Sequence, residues 1–560
     1  MPPRLALALL AVLCLANPLA AQTPTLTTQI AAITTEPAVS RAHWGVMVTA
    51  MDGTPIVALN EGQLFQPASN TKLFTTAAAL ALLQGGSPFE TRVIAQSAPA
   101  AGTLHGDLIL VGDGDANLSG RAIPYAEPPA KQFPLPPLHI LDEIAGTIAA
   151  TGLTRIDGDI VGDDTLFPWE PYAPDWAADD LLWGYGAPVS ALTVNDNQLK
   201  LTIRPGRFPP DYGTHRAEGP IPPLIATDPA TPFYTIQNDA VTTDPKSRTS
   251  IGIERQADSR VLRVFGTIAG DAPPETYEIA IDDPAEFAAL SLKASLESRG
   301  ITITGKAVAR HQSRTSTSGF LEQARLPIAD LGAGSGGTIA PCLRCNNVTG
   351  SYSGDPVLAR IHSPTVAEDV VVTNKESQNL HAELLLHQLA AAFADDGSTA
   401  QGARVVRQFL VNSANRSANN SSANNSANSS SANSGAGIDP SDFVFYDGSG
   451  MSGHDLVTPR AVAKLLRFAA TQPWFAVYKA SLPVGGIDGT LENRFTRPPL
   501  KGRVFAKTGT NSESRALSGY LECASGRTVI FSILVGNHAP GSAAERDAMD
   551  RIVAAIAAAN

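Results

Sequence analysis

Strands and helices alternate at the two ends of this 560-residue chain, and a long stretch of different texture separates them. Near the start, GVMVTAMDGTPIVAL (45–59) reads as two strands joined at an Asp52-Gly53 turn. Pro67 and an Ala/Leu-rich run, Leu73 to Leu83, follow as a buried helix closed by Gly85-Gly86. The same vocabulary returns late. Lys375 to Ala394 and Pro459 to Thr471 read as helices. Arg503–Lys507, Ala516–Leu521 and Thr528–Val535 read as strands, and an Ala-rich helix covers Ala543 to Ala558. The two ends are expected to build one α/β (α+β) domain, interrupted by what lies between.

From about Thr91 to Leu331, short β-like runs (DLILVGDGD, IDGDIVGDD, QLKLTIRPG, RVLRVFGTI, TYEIAI, ITITGKAVA) alternate with turns, with one helical pattern at Pro284 to Arg299. Gly332 to Pro356 reads as loop. Asn412 to Ser434 is almost wholly Asn, Ser and Ala, which cannot build a core, so a flexible surface insertion is expected there. The expected division is a signal segment at 1–21, a discontinuous domain at 22–90 and 357–560, inserted β-rich domains at 91–356 (two, one nested in the other), and the tract at 412–434.

The net charge is -12, a poor basis for binding a phosphate backbone, so no nucleic acid partner is expected. Arg4 and the apolar Leu5 to Ala16 have the length of a secretory signal, too short to span a membrane, with cleavage placed near Ala21-Gln22. Cys14 would be lost with it. Cys342 and Cys345 form PCLRC, and without a second CxxC or paired histidines zinc is excluded; a local disulfide is expected after export. Cys523 ends a strand-like segment and is expected to be buried.

The chemistry begins at FQPASNTKLF. Ser69 and Lys72 are three residues apart at a helix start, on one face, where the helix dipole favours developing negative charge. A lysine whose pKa is lowered by burial or by another cation can take the serine proton. S-x-x-K alone is weak. Two downstream motifs support it: Ser377 and Asn379 in KESQNLHAELLL, an S-x-N at a loop-to-helix start, and Lys507, Thr508 and Gly509 in FAKTGTNSESRAL, where an edge strand could present backbone to a substrate. S-x-x-K, S-x-N and K-T-G in that order are the penicillin-binding protein and β-lactamase signature. Two hydroxyls, two lysines and an amide suffice for acyl transfer, with no metal or cofactor.

The surrounding text (HWGVMVTAMDG, GDLILVGDGDANLS, GDDTLF, YGAPVSALTVNDNQL, YDGSGMSGHDLVTP, LPVGGIDGTLENRF, KTGT) resembles the D-alanyl-D-alanine carboxypeptidase/endopeptidase family, the class C low-molecular-mass penicillin-binding proteins. That family carries extra domains between S-x-x-K and S-x-N, in keeping with the long gap from Ser69 to Ser377. The resemblance implies a transpeptidase-type fold. It implies Ser69 as the acylated nucleophile, Lys72 as its base, and Ser377 as proton shuttle to the leaving amine. Asn379 would position the substrate amide. Lys507, with Thr508 and Thr510, would hold the terminal carboxylate, and the N–H groups of Ser69 and Thr510 would form the oxyanion hole. Asp164 and Phe167 would be further substrate contacts. It implies peptidoglycan stem peptides as substrate, β-lactams as covalent inhibitors and a periplasmic location. Alternatives are a β-lactamase or esterase on the same fold, or an inert peptidoglycan-binding protein. Peripheral membrane contact, a homodimer and the balance of carboxypeptidase and endopeptidase activity are left open.

One departure stands out: Gly453 in DGSGMSG replaces a customary arginine, whose role the resemblance implies is to hold the side-chain carboxylate of the peptide's third residue. Three other features carry no chemistry of their own. DGDANLSG fails as a calcium loop because Leu118 and Pro124 stand at its sixth and twelfth positions. His381 and His387, six apart, are poorly spaced as ligands and read as solvated or capping. Asp447, Gly448 and Gly450 are expected to shape a turn.

Overall fold

The computed structural model describes residues 25–83, 89–125, 134–207, 220–328, 352, 354–394, 396–411 and 435–560. The expected signal segment, Gly85-Gly86, the PCLRC cysteines and the 412–434 tract lie outside the described residues.

The two ends of the chain meet in one five-stranded antiparallel sheet. Its order is Pro55–Leu59, His43–Ala50, Thr528–Gly536, Arg515–Glu522, Val504–Thr510. His43 lies opposite Gly536 and Ala50 opposite Val529. The period-two pattern of the strands explains why both faces are covered. Val529, Phe531, Ile533 and Val535 pack on one side with the helices Leu26–Thr34 and Ala544–Ala559. Ile530 and Leu534, with Ala516 and Tyr520, pack on the other against Thr71–Leu82 and Pro459–Ala469. Cys523 is buried beside this sheet. Val504–Thr510 is an edge strand, as expected, but it carries K-T-G within its paired length, Lys507 opposite Ser518 and Gly509 opposite Ala516.

The intervening residues form their own sheets. The largest has the order Ala307–Gln312, Ile160–Pro168, Leu108–Val111, Glu90–Ala95, Val357–His362. The helix Pro284–Glu297 lies against it, close enough that a Cβ at Gly162 would overlap the backbone carbonyl of Ala285. Three three-stranded sheets follow: Gln198–Arg204 between Leu224–Asp228 and Glu275–Ala280, Val261–Ala269 between Thr235–Thr243 and Ser250–Glu254, and Arg155–Asp157 between Thr302–Ile303 and Thr103–His105. Asp115–Leu118 pairs with Leu192–Val194. No helix among the described residues is long and apolar enough to cross a membrane.

The helix expected at Lys375 to Ala394 begins later, at Asn379, and Lys375 instead ends a separate helix. Val366–Lys375, opened by a capping box between Thr365 and Glu368, ends where the sequence pattern had a helix begin. Asn379–Phe393 starts afresh. Between them Ser377 has φ +61°, a left-handed conformation that a right-handed helix cannot contain. Thr399–Val411 and Phe475–Ser481 are further helices that the periodicity did not reveal.

Phe531 is fully buried in the strand that bonds both halves of the chain. Phe531→Ala is expected to destabilise the protein by about 3–5 kcal/mol, read as a lowered thermal unfolding midpoint.

Candidate active site

The serine turn comes first. Ala68–Asn70 is a single 3-10 turn running directly into the helix Thr71–Leu82, and Ala68 is left-handed at φ +46°. Ser69 is half-buried, whereas Lys72 is wholly buried one turn on. The Lys72 Nζ lies 3.0 Å from Ser69 Oγ, 2.6 Å from Asn379 Oδ1 and 2.7 Å from the carbonyl of Ser449. Burial pulls its pKa down to about 7, against the opposing pull of Asp447, Glu383 and Asp455.

Those three carboxylates are themselves buried and shape the DGSG loop. Glu383 accepts the N–H groups of Gly448 and Ser449, and burial with Asp447 nearby lifts its pKa to about 8. Asp455 accepts from Tyr446 N–H at 2.6 Å and Thr71 Oγ1 at 2.8 Å; burial, then Asp447, holds its pKa well up. Asp447 accepts from Gly450 N–H, Ser452 N–H and Trp176 Nε1 at 2.7, 2.7 and 3.0 Å. The loop is therefore a turn, as its glycines indicate, and also the electrostatic floor beneath Lys72.

The K-T-G strand closes the other side. Asn70 Nδ2 donates to the carbonyl of Lys507 at 3.0 Å. A Cβ at Gly509 would stand 2.6 Å from the Pro67 carbonyl, so only glycine lets strand and serine turn approach. Lys507 is wholly buried and donates to Ser377 Oγ at 2.8 Å. Burial, and then the charge of Lys72, push its pKa well below the usual lysine value. The structure thus brings Ser69, Lys72, Ser377, Asn379 and Lys507 into one cluster, with Thr508, Gly509 and Thr510 along its strand edge.

Asp164 and Phe167 are not part of it. Asp164 is buried, accepting from Ser190 Oγ at 2.8 Å and pairing with His311 at 2.9 Å. Phe167 is buried against the ring of His387, 5.1 Å between centroids. Both side chains, expected as substrate contacts, are buried on protein partners and neither joins the cluster around Ser69. The histidine reading is corrected as well. His381 is buried between Asp369 (2.6 Å) and Asp196 (3.3 Å); these carboxylates overcome burial and raise its pKa to about 9. His387 is buried on the Gly397 carbonyl, and burial lowers its pKa to about 4.

The sequence reading missed residues that hold the S-x-N turn from outside. Arg121 bonds both Glu376 and Asp196, and Gln378 Nε2 donates to Asp196 at 3.1 Å. Asn379 Nδ2 donates to the Tyr185 carbonyl at 2.8 Å. The available signal was the charged and Asn-rich text of LSGR and TVNDNQ within otherwise apolar surroundings. At the departure from the family pattern, a Cβ on Gly453 would meet Asp175 Oδ2 at 2.8 Å, and Asp175 pairs with His454 at 3.3 Å. Asp175 thus stands against the position of the customary arginine.

A serine against a buried lysine, faced by a second serine on a second buried lysine along a sheet edge, defines the class of penicillin-binding, serine-active enzymes. The D-Ala-D-Ala carboxypeptidase 3 (S13) family matches residues 26–331, 335–426 and 411–558, and the chain belongs to that family. It is 31% identical over 534 residues to a D-alanyl-D-alanine carboxypeptidase of Actinomadura sp. (strain R39), covering 93% of this chain and 82% of that one. It is 21% identical to the D-alanyl-D-alanine carboxypeptidase DacB of Haemophilus influenzae, over 89% of this chain and 86% of the relative. Among solved structures, penicillin binding protein 4 (dacB) from Haemophilus influenzae aligns with a TM-score of 0.68 at 19% identity, covering 94% and 97% of the two chains. That likeness shows the fold.

Arg121 is buried with Asp196, so Arg121→Met leaves a buried carboxylate without its main cation. The expected loss is about 3–5 kcal/mol, measured by denaturant unfolding.

Proposed function

We propose that this protein is a serine-type D-Ala-D-Ala carboxypeptidase, also able to act as an endopeptidase, that cuts peptidoglycan stem peptides through an acyl-enzyme on Ser69. The observation that carries this reading is the contact of Ser69 Oγ with a lysine held near neutrality, 3.0 Å away. Two neighbours of Lys72 Nζ, the Asn379 and Ser449 oxygens, can only accept. They take two N–H groups of the neutral amine, which leaves its lone pair for the Ser69 hydroxyl.

In this reading Lys72 takes the Ser69 proton as Oγ attacks the carbonyl of the penultimate D-alanine. The backbone N–H groups of Ser69 and Thr510 receive the oxyanion. The C–N bond breaks, and the leaving amine gains a proton by way of Ser377, which Lys507 supports at 2.8 Å. Water then releases the acyl group and restores Ser69. Asn379 orients the substrate amide, and Lys507 with Thr508 and Thr510 receives the terminal carboxylate. A cross-linked peptide differs only in the amine that leaves, which is why endopeptidase activity fits the same site. Peptidoglycan as substrate implies work outside the cytoplasmic membrane; export by residues 1–21 to the periplasm is part of this proposal. So is a discontinuous catalytic domain, expected at 22–90 with 357–560, although Val357–His362 pairs with Glu90–Ala95 in the sheet of the interrupting residues, which moves the return of the catalytic domain past His362.

Intact-protein mass spectrometry after benzylpenicillin treatment is expected to give a stable adduct of penicillin mass on the wild type and none on Ser69→Ala. Penicillin consumed without an adduct would instead identify a β-lactamase. Intact penicillin and no adduct would identify an inert binding protein.

The acylation rate has a defined pH dependence. Protonated Lys72 cannot accept a proton, so kcat/KM is expected to rise tenfold per pH unit below about 7 and level off above it. Lys72→Ala removes the base and is expected to lower kcat/KM by about 10²–10⁴-fold at pH 8.

A further inference from the structure

LPVGGIDGTLENRF carries part of the family resemblance but has no role in the reaction described above. In the structure it borders the K-T-G strand: the Thr490 and Thr508 hydroxyls are 2.8 Å apart. Thr490 is exposed on the single 3-10 turn Gly489–Leu491. Two hydroxyls hold two O–H hydrogens, and their mutual bond uses one. The other has no acceptor among the described residues. The pair is exposed, and Lys507 Nζ donates to the Thr508 carbonyl at 3.0 Å.

The position of Thr490 is fixed from below. Asp488 is buried and pairs with buried Lys375 at 2.5 Å, while its other oxygen accepts from Val484 N–H at 2.8 Å. Gly489 is left-handed at φ +56°, and a Cβ there would stand 2.7 Å from the Lys375 carbonyl. Lys375 lies two residues before Ser377, and Ser377 contacts Lys507. The contacts close a ring through Lys375, Ser377, Lys507, Thr508, Thr490 and Asp488. Placement of Thr490 is thereby tied to placement of the S-x-N serine.

We infer that Thr490 is a further substrate-binding residue: its hydroxyl, paired with that of Thr508, presents a donor to the carboxylate at the C-terminus of the peptide or on a β-lactam. This rests on the acyl-enzyme reading above. Asp488 and Lys375 act as positioning residues for it.

The test compares acylation of wild type, Thr490→Val and Thr490→Ser by benzylpenicillin and by its methyl ester, which has the same reacting ring without the anion. Thr490→Val is expected to slow acylation by benzylpenicillin about tenfold and by the ester less than twofold, with most of the loss restored in Thr490→Ser. Equal slowing with both compounds, or none with either, overturns the inference. Failure of the acyl-enzyme reading is seen separately, as a wild type that neither compound labels. The contact is then judged by calorimetric binding of N-acetyl-D-alanyl-D-alanine to Ser69→Ala with and without Thr490→Val. About tenfold weaker binding supports it and unchanged affinity overturns it.

Discussion

Two lysine side chains buried in one cleft set the terms for everything around them. Lys72 and Lys507 are both fully excluded from water; burial lowers the pKa of each, and the charge of Lys72 lowers that of Lys507 further. An unpartnered buried lysine would be strongly destabilising. The fold answers by bringing acceptors from separate segments: a side-chain amide and a backbone carbonyl to Lys72, a serine oxygen and the Thr508 carbonyl to Lys507. Glu383, Asp447 and Asp455 form a second ring beneath Lys72. The serine turn, the DGSG loop, the S-x-N turn and the K-T-G strand converge because they share these two nitrogen atoms as partners.

The residues between the chain's two ends contribute walls as well as bulk. Trp176 donates into the DGSG loop, Tyr185 accepts from Asn379, and Arg121 with Asp196 grips both flanks of Ser377. Arg121 and His381 together overcome the burial that would otherwise raise the pKa of Asp196, and hold it low. The S-x-N turn, which includes a left-handed serine, is thus held from both sides. Asp488 reaches it from the sheet side through Lys375, and Asp196 from the inserted side.

The reactive cluster was legible because its residue types are chemically unusual where they stand. A lysine at the head of an apolar helix and a K-T-G before alternating apolar strands both depart from what packing alone requires. The sheet was legible too, through the period-two runs at 45–59 and 516–535. What stayed hidden depends on contacts distant in sequence. Nothing local distinguishes Asp196 from a turn aspartate, or His381 from a solvated histidine, until Arg121 and Asp369 are seen beside them. Asp164 failed in the opposite direction: its motif matched, but Ser190 and His311 already occupy its oxygens. The loop at 376–378 ahead of Asn379 was legible in the S-x-N motif, whereas the separate helix Val366–Lys375 before it was not.

The strand His43–Ala50 finds its second neighbour only in Thr528–Gly536, near the opposite end of the chain. Closing so long a loop is entropically costly and slow, and contacts of this separation come late in folding. The serine helix lies in the early part of the chain, and the sheet edge bearing Lys507 lies in the late part. The Ser69–Lys72 and Lys507 parts of the cleft therefore meet only when strands from the two ends of the chain share one sheet.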